Sequence, residues 1–140
     1  MEKTALCCCG QLRIKVKGEP IRVVACHCLQ CQRRTGSVFS DNAYFRRTSI
    51  VAIEGKASEF ARRTDRGNTI RFKFCPECGS TLHWDVPSEP ETIGIAVGAF
   101  ADPGFPPPTT TVFGITRHEW VNNPEGAESY LAFPTGPRED

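Results

Sequence analysis

Apolar and polar residues alternate with a period of two along much of this chain, which marks strands rather than helices. Over Gln11–Lys17, Leu12, Ile14 and Val16 fall on one face and Arg13, Lys15 and Lys17 on the other, and Gly18 ends the run. Ile21–Ala25 is a short apolar run. Asn42–Phe45 and Ser49–Ile53 read as strands with Arg46 and Arg47 between them, and Glu54-Gly55-Lys56 as a turn. Ser58–Arg62 and Thr69–Phe74 flank Asp65-Arg66-Gly67-Asn68, a hairpin signal. Thr81–Val86, Thr92–Phe100 and Val112–Val121 complete the predicted strands. Two short helices are expected, Leu29–Arg34, stopped by Gly36, and Gly126–Leu131. Pro103–Pro108 holds four prolines in six residues and reads as an extended loop, and Pro134–Asp140 as a frayed tail.

Strands at roughly ten-residue spacing, with few helices, predict a mainly β fold. A length of 140 residues suits one domain, taken as residues 1–133 followed by a tail at 134–140. Hydrophobic residues make up 39% and charged residues 24%, a globular composition. A formal net charge of +1, without basic patches interleaved with aromatics, argues against nucleic acid as a partner. No stretch reaches the roughly 18 apolar residues of a membrane span. Met1–Cys7 lacks the apolar core of a signal peptide, so no membrane partner and a cytoplasmic location are expected. The oligomeric state is left open.

Seven of the eight cysteines fall in three tight groups: Cys7-x-Cys9, Cys26-x-Cys28-x-x-Cys31 and Cys75-x-x-Cys78. Four disulfides would fit an even count, but residues this close in sequence pair poorly, and the setting is not secretory. Thiolate coordination of zinc suits the spacing better. A closed zinc site takes four protein ligands, and a reactive one takes three and keeps a position open. Cys75-Pro76-Glu77-Cys78-Gly79 has the form of a zinc knuckle, with Gly79 supplying a positive φ. Cys7-x-Cys9 needs a local bend to bring both sulfurs to one ion, because in a regular strand they stand about 7 Å apart, and Gly10 permits one. Cys8 points away on this reading.

Cys26-His27-Cys28-Leu29-Gln30-Cys31 packs three thiols into six residues, with His27 facing away from any metal. His83 and His118 read as ordinary polar residues. A second pairing stays open at this point: Cys28-x-x-Cys31 with Cys75-x-x-Cys78 also spells a two-knuckle ribbon, leaving Cys7, Cys9 and Cys26 over. Arg33/Arg34, Arg46/Arg47 and Arg62/Arg63 form three adjacent pairs, read either as anion grips or as solvated faces. Ser37 is a candidate hydrogen-bond donor or an ordinary turn residue. Phe100 and Trp120 are candidates for the substrate side, although aromatics such as Trp84 and Phe113 at strand spacing are commonly core.

Taken in order, Cys7-x-Cys9-Gly10, Cys26-His27-Cys28-x-x-Cys31, Arg33/Arg34, Gly36-Ser37, Phe74-Cys75-x-x-Cys78-Gly79, Val97-Gly98-Ala99-Phe100 and Trp120 give a pattern that resembles the glutathione-dependent formaldehyde-activating family, over about residues 5–121. The resemblance implies a β-tent fold of several small curved antiparallel sheets, stabilised by zinc. It implies two zinc ions per chain: a structural one on Cys7, Cys9, Cys75 and Cys78, and a catalytic one on Cys26, Cys28 and Cys31. It implies a carbon–sulfur lyase, S-(hydroxymethyl)glutathione synthase-like, with glutathione as co-substrate and a small aldehyde as partner; Arg33, Arg34, Ser37, Phe100 and Trp120 are then the candidates for the substrate side, read from the residues themselves. Two departures bear on the substrate: Ala101-Asp102-Pro103 replaces a pair of acidic residues, and Thr109-Thr110-Thr111 stands where relatives carry a histidine. The alternatives are a non-catalytic zinc module that carries a thiol or binds protein, and a redox or metal sensor built on labile cysteines.

Overall fold

The structure, a computed structural model, describes residues 1–139, and Asp140 lies outside them. The strands are β1 (Glu2–Leu6), β2 (Arg13–Lys17), β3 (Arg22–Cys26), β4 (Ser40–Arg46), β5 (Ile50–Glu54), β6 (Ser58–Arg63), β7 (Thr69–Phe74), β8 (Thr81–Asp85), β9 (Thr92–Ala96), β10 (Thr110–Val112) and β11 (Glu128–Ser129). The one α-helix among the described residues, α1 (Leu29–Thr35), follows β3, and 3₁₀ turns occupy Arg47–Ser49, Val97–Phe100 and Gly114–Thr116. The fold is mainly β in several sheets, as the alternation predicts. The described residues form two compact units, Met1–Ile21 with Ala43–Pro103, and Arg22–Asn42 with the segment from Gly104 onward.

In the first unit, β2 lies between β1 and β5, antiparallel to both, with a register shift at Lys15/Val16. The predicted alternation of β2 is realised: Leu12, Ile14 and Val16 are fully buried, and Ala5 of β1 sits opposite Ile14. β6 to β9 form antiparallel neighbours in the order β9-β8-β7-β6. The β6–β7 hairpin closes with the Thr64 amide donating to Asn68 O at 2.7 Å. Trp84 lies opposite Phe72 on one side and Gly94 on the other. A Cβ at Gly94 would meet the Trp84 indole at 2.1 Å, so only glycine lets the ring lie across β9. Phe45 and Phe100 pack with ring centroids 6.2 Å apart.

In the second unit, β10 pairs in parallel with β3, placing Thr111 opposite Ala25 and Val112 opposite Cys26, and in parallel with β11. α1 ends where Gly36 adopts φ 72° and its amide closes onto Gln32 O, as the sequence indicates.

Several expectations are corrected. Strand β1 has no forecast counterpart. Thr92–Phe100 is strand only to Ala96, and left-handed Ala101 (φ 49°) follows the 3₁₀ turn. Val112–Val121 is not a strand: Phe113 adopts φ 58° and turns the chain into Gly114–Thr116. Gly126–Leu131 is not a helix, because Gly126 adopts φ 79° in a turn closed by the Ala127 amide on Pro124 O, and β11 follows. Pro134–Glu139 is not frayed. The Leu131 amide donates to Pro137 O, the Glu139 amide donates to Ser129 O, and the Glu139 carboxylate pairs with Arg117 and accepts from Asn123 Nδ2.

Candidate metal centres

The first unit brings together Cys7, Cys9, Cys75 and Cys78, whose sulfurs all lie within 4.8 Å of one another. Cys7 and Cys9 follow β1 in a turn closed by the Gly10 amide on Cys7 O, with Gly10 at φ 83°. Cys75 and Cys78 follow β7 in a turn one residue longer, closed by the Gly79 amide on Cys75 O, with Gly79 at φ 79°. Positive φ is open to glycine at little cost, and both knuckles depend on it. The Sγ atoms of Cys7 and Cys9 are 3.7 Å apart, as are those of Cys9 and Cys75. Four sulfurs held at about 2.3 Å from one zinc stand about 3.8 Å apart along the edges of a tetrahedron. The four-sulfur set therefore fits a closed zinc site.

Donors surround these sulfurs. The Leu12 amide donates to Cys7 Sγ at 3.2 Å, and Gln11 Nε2 donates to Cys75 Sγ at 3.0 Å. The Glu77 and Cys78 amides also donate to Cys75 Sγ, at 3.3 and 3.5 Å. Gln11 is anchored in turn, since its Oε1 accepts from the Lys56 amide and its Nε2 donates to Lys56 O. Such outer bonds orient ligands and stabilise thiolate charge. The Ser80 hydroxyl, with the Ser80 and Cys9 amides, draws the Cys78 thiol down to about 5. At Cys9 the Gln11 amide lowers the thiol, but burial and the three neighbouring sulfurs raise it more, to about 12. Coordination of a divalent cation requires these thiols as thiolates, so its binding would release protons.

The second unit brings together Cys26, Cys28 and Cys31, again within 4.8 Å. Cys26 ends β3, Cys28 caps α1 with its sulfur accepting from the Cys31 amide at 3.3 Å, and Cys31 lies buried in the first turn of the helix. The thiols of Cys26 and Cys28, followed by Ser40 and Arg34, pull Cys31 down to about 2 against the opposing effect of burial. Cys26 is pushed up, first by its bonds to Cys28 and Cys31 and then by burial. The three sulfurs suit a soft cation with one position left for a ligand.

This grouping excludes the two-knuckle ribbon, because Cys28 and Cys31 share their cluster with Cys26 and not with Cys75 and Cys78. All eight cysteines are free of disulfides, and Cys8 is exposed and outside both clusters. None of His27, His83 and His118 joins a cluster. Burial, then Arg117, lowers the imidazole of His27, and burial lowers that of His83 to about 4. Of the arginine pairs, Arg34 is half-buried and acts electrostatically on Cys31, while Arg33 is exposed at the end of α1. Arg47 pairs with Asp85 at 2.5 Å, and Arg62 stacks over Phe72. Ser37 is exposed, its amide bonded to Thr35 Oγ1. Phe100 is buried in the first unit against Phe45, whereas Trp120 is 73% exposed, edge-on to His118.

Sequence reasoning missed the residues that hold the second cluster in place. Ser40, not Ser37, is the hydroxyl at Cys31, and it also accepts from Asn42 Nδ2 at 3.1 Å. Gln32 Nε2 donates to His27 O at 3.0 Å and to Thr116 O at 3.1 Å, and Thr116 Oγ1 donates to His27 O at 2.8 Å. These bonds fix the loop between Cys26 and Cys28. The available signal was the helical position of Gln32, one turn after Cys28. Nothing local marked Thr116.

Among the described residues no helix is long and apolar enough to cross a membrane. A crystal structure of a Rhodobacter sphaeroides protein, a structural-genomics target, matches with a TM-score of 0.55 at 24% identity, covering 74% of this chain and 91% of that one, and at this identity it speaks for the fold alone. A family model described as glutathione-dependent formaldehyde-activating enzyme matches residues 2–116, a span that contains both cysteine clusters and the helix between β3 and β4, and the chain belongs to that family.

Proposed function

We propose that the protein is a zinc-dependent carbon–sulfur lyase that joins a small aldehyde of the formaldehyde type to a glutathione-type thiol, and reverses that addition, at Cys26, Cys28 and Cys31. The observation that carries this reading is the unequal number of sulfurs. Four close one cluster, whereas among the described residues no histidine or carboxylate joins the three of the other. Zinc held by the three would supply a cation that keeps a substrate thiol ionised and polarises a carbonyl oxygen.

The chain's own groups contribute the rest. Gln32 and Thr116 hold the Cys26–Cys28 loop in the conformation in which its sulfurs converge. Ser40 and Arg34 offset negative charge at Cys31. Arg33, exposed at the end of α1, is available to a carboxylate of the thiol substrate. In the synthetic direction the substrate sulfur bonds to the aldehyde carbon and the carbonyl oxygen gains a proton. The reverse step breaks the carbon–sulfur bond and regenerates thiol and aldehyde. Eight cysteines free of disulfides suit a reducing, cytoplasmic setting.

The addition also proceeds without a catalyst, so the test is a rate. Zinc-loaded protein mixed with glutathione and formaldehyde, and with other thiol–aldehyde pairs, is expected to exceed the rate in buffer for at least one pair, and Cys28→Ala is expected to lose that excess. Thiol binding at the three-cysteine site with no excess rate for any pair would replace the lyase by a thiol carrier.

A further inference from the structure

The second unit contains a cavity of about 120 Å³ that the lyase reading does not use. Four of its lining side chains present a buried polar atom with no hydrogen-bond partner among the described residues: His27 Nδ1, Asp41 Oδ1, Thr111 Oγ1 and Asn123 Oδ1. His27 is 2% exposed and Thr111 is 1% exposed. Native proteins leave few such atoms unpaired, and four around one space mark a site for something that pairs with them.

The cavity is separate from the thiol cluster. Ala25 and His27 line it, whereas none of Cys26, Cys28 and Cys31 does. Thr111, opposite Ala25 in the parallel ladder, lies on the cavity side as well. On β4, Ser40 bonds to Cys31, and Asp41, the next residue, faces the cavity.

The four atoms share one character. The Asp41 carboxylate oxygen can only accept. Asn123 donates its Nδ2 to Glu139 at 3.2 Å, which leaves its Oδ1 as the acceptor facing the cavity. The imidazole nitrogen and the threonine hydroxyl can accept too. Burial pushes the Asp41 carboxyl up to about 6 against a hydrogen bond from the Asn42 amide, and Oδ1 has no partner among the described residues. The rest of the lining is one further polar residue, Asn122, and the apolar Ala25, Phe39, Pro108, Val121 and Pro124. A cavity of roughly 150 Å³ holds benzene, so this one accommodates a ligand of about four or five non-hydrogen atoms. A bare metal ion would satisfy the oxygens but leave the apolar walls unused.

We propose that this cavity binds a short-chain primary ammonium, with its N–H groups on Asp41, Asn123 and His27 and its two or three carbons against Phe39, Pro108 and Val121. The site is independent of the chemistry assigned to the cysteines. Calorimetric titration of the zinc-loaded full chain at pH 8 with neutralised ethylamine and propylamine tests it, with tetramethylammonium and Mn²⁺ as competing probes. The expected result is saturable 1:1 binding of the primary amines and none of tetramethylammonium, which has no N–H to donate. Loss of the charged acceptor in Asp41→Asn is expected to weaken binding about tenfold or more. No saturation by either amine, affinity unchanged in Asp41→Asn, or Mn²⁺ bound in their place would overturn the proposal. So would a crystal grown in ethylamine with only water in the cavity.

Discussion

Replacing Cys75 by alanine should unfold the first unit, whereas replacing Cys28 by alanine should not unfold the second. Cys75 is fully buried, and its sulfur accepts from Gln11 Nε2 and from the amides of Glu77 and Cys78. Gln11 keeps Lys56 O as a second acceptor, so alanine strands mainly the two amides, at a cost of about 1–3 kcal/mol each. The metal term is larger. Structural zinc binds with an apparent free energy of roughly 10–16 kcal/mol, against a total stability of about 5–15 kcal/mol for an ordinary domain. Losing one of four ligands therefore threatens the whole margin. Cys28 is half-buried and its sulfur accepts the Cys31 amide beside its thiol neighbours, while Gln32 and Thr116 still hold its loop. Metal analysis with far-ultraviolet circular dichroism on heating separates the two. Cys75→Ala should be unfolded or strongly destabilised at 25 °C. Cys28→Ala should keep one zinc per chain and a cooperative melt. Equal losses of structure in both variants would show that the two clusters do not differ in role.

Two further outcomes follow from single side chains. Burial holds the His83 imidazole at about 4, below its usual value, and neither ring nitrogen has a partner among the described residues. The unfolded chain therefore binds more protons between about pH 6.5 and 4, and the stability contributed by neutral His83 is lost as pH falls through that window, on the order of 3 kcal/mol in all. His83→Leu should flatten this part of a denaturation-versus-pH curve relative to the parent chain, and an unchanged slope would remove His83 as the cause. Gly55 adopts φ 100°, and a Cβ there would stand 2.0 Å from Gln11 O. Gly55→Ala should cost about 1–3 kcal/mol or more in chemical denaturation, and it should loosen the first zinc site through Gln11, read as faster metal loss to a chelator.

The strands easiest to read were those with a regular alternation. In β2 every second residue is fully buried, and α1 was marked by its Gly36 stop. The two sulfur sets were legible because their spacing is local chemistry, although the pairing of Cys7/Cys9 with Cys75/Cys78 rests on contacts 66 residues apart, and before the fold was seen only the family resemblance supplied it. β1 escaped because of its five residues only Ala5 is buried, so the strand carries no apolar stripe. Val112–Val121 looked continuous because nothing in the composition forbids a strand there. What breaks it is left-handed Phe113, held by its amide on Ala132 O, and that contact is invisible to a local window. The same holds for Thr116, which reaches His27 O across 89 positions. Ser37 and Ser40 show how a hydroxyl is misplaced: the motif draws the eye to the residue after Gly36, but the strand that follows delivers Ser40 to Cys31.

The decisive observation is a crystal of the zinc-loaded chain, soaked in glutathione and measured at the zinc edge. Two anomalous peaks should appear per chain, one enclosed by Cys7, Cys9, Cys75 and Cys78, the other held by Cys26, Cys28 and Cys31 with the glutathione sulfur as its fourth neighbour. A second peak already completed by a side chain, or glutathione bound away from those three cysteines, would contradict the division into one closed and one open centre.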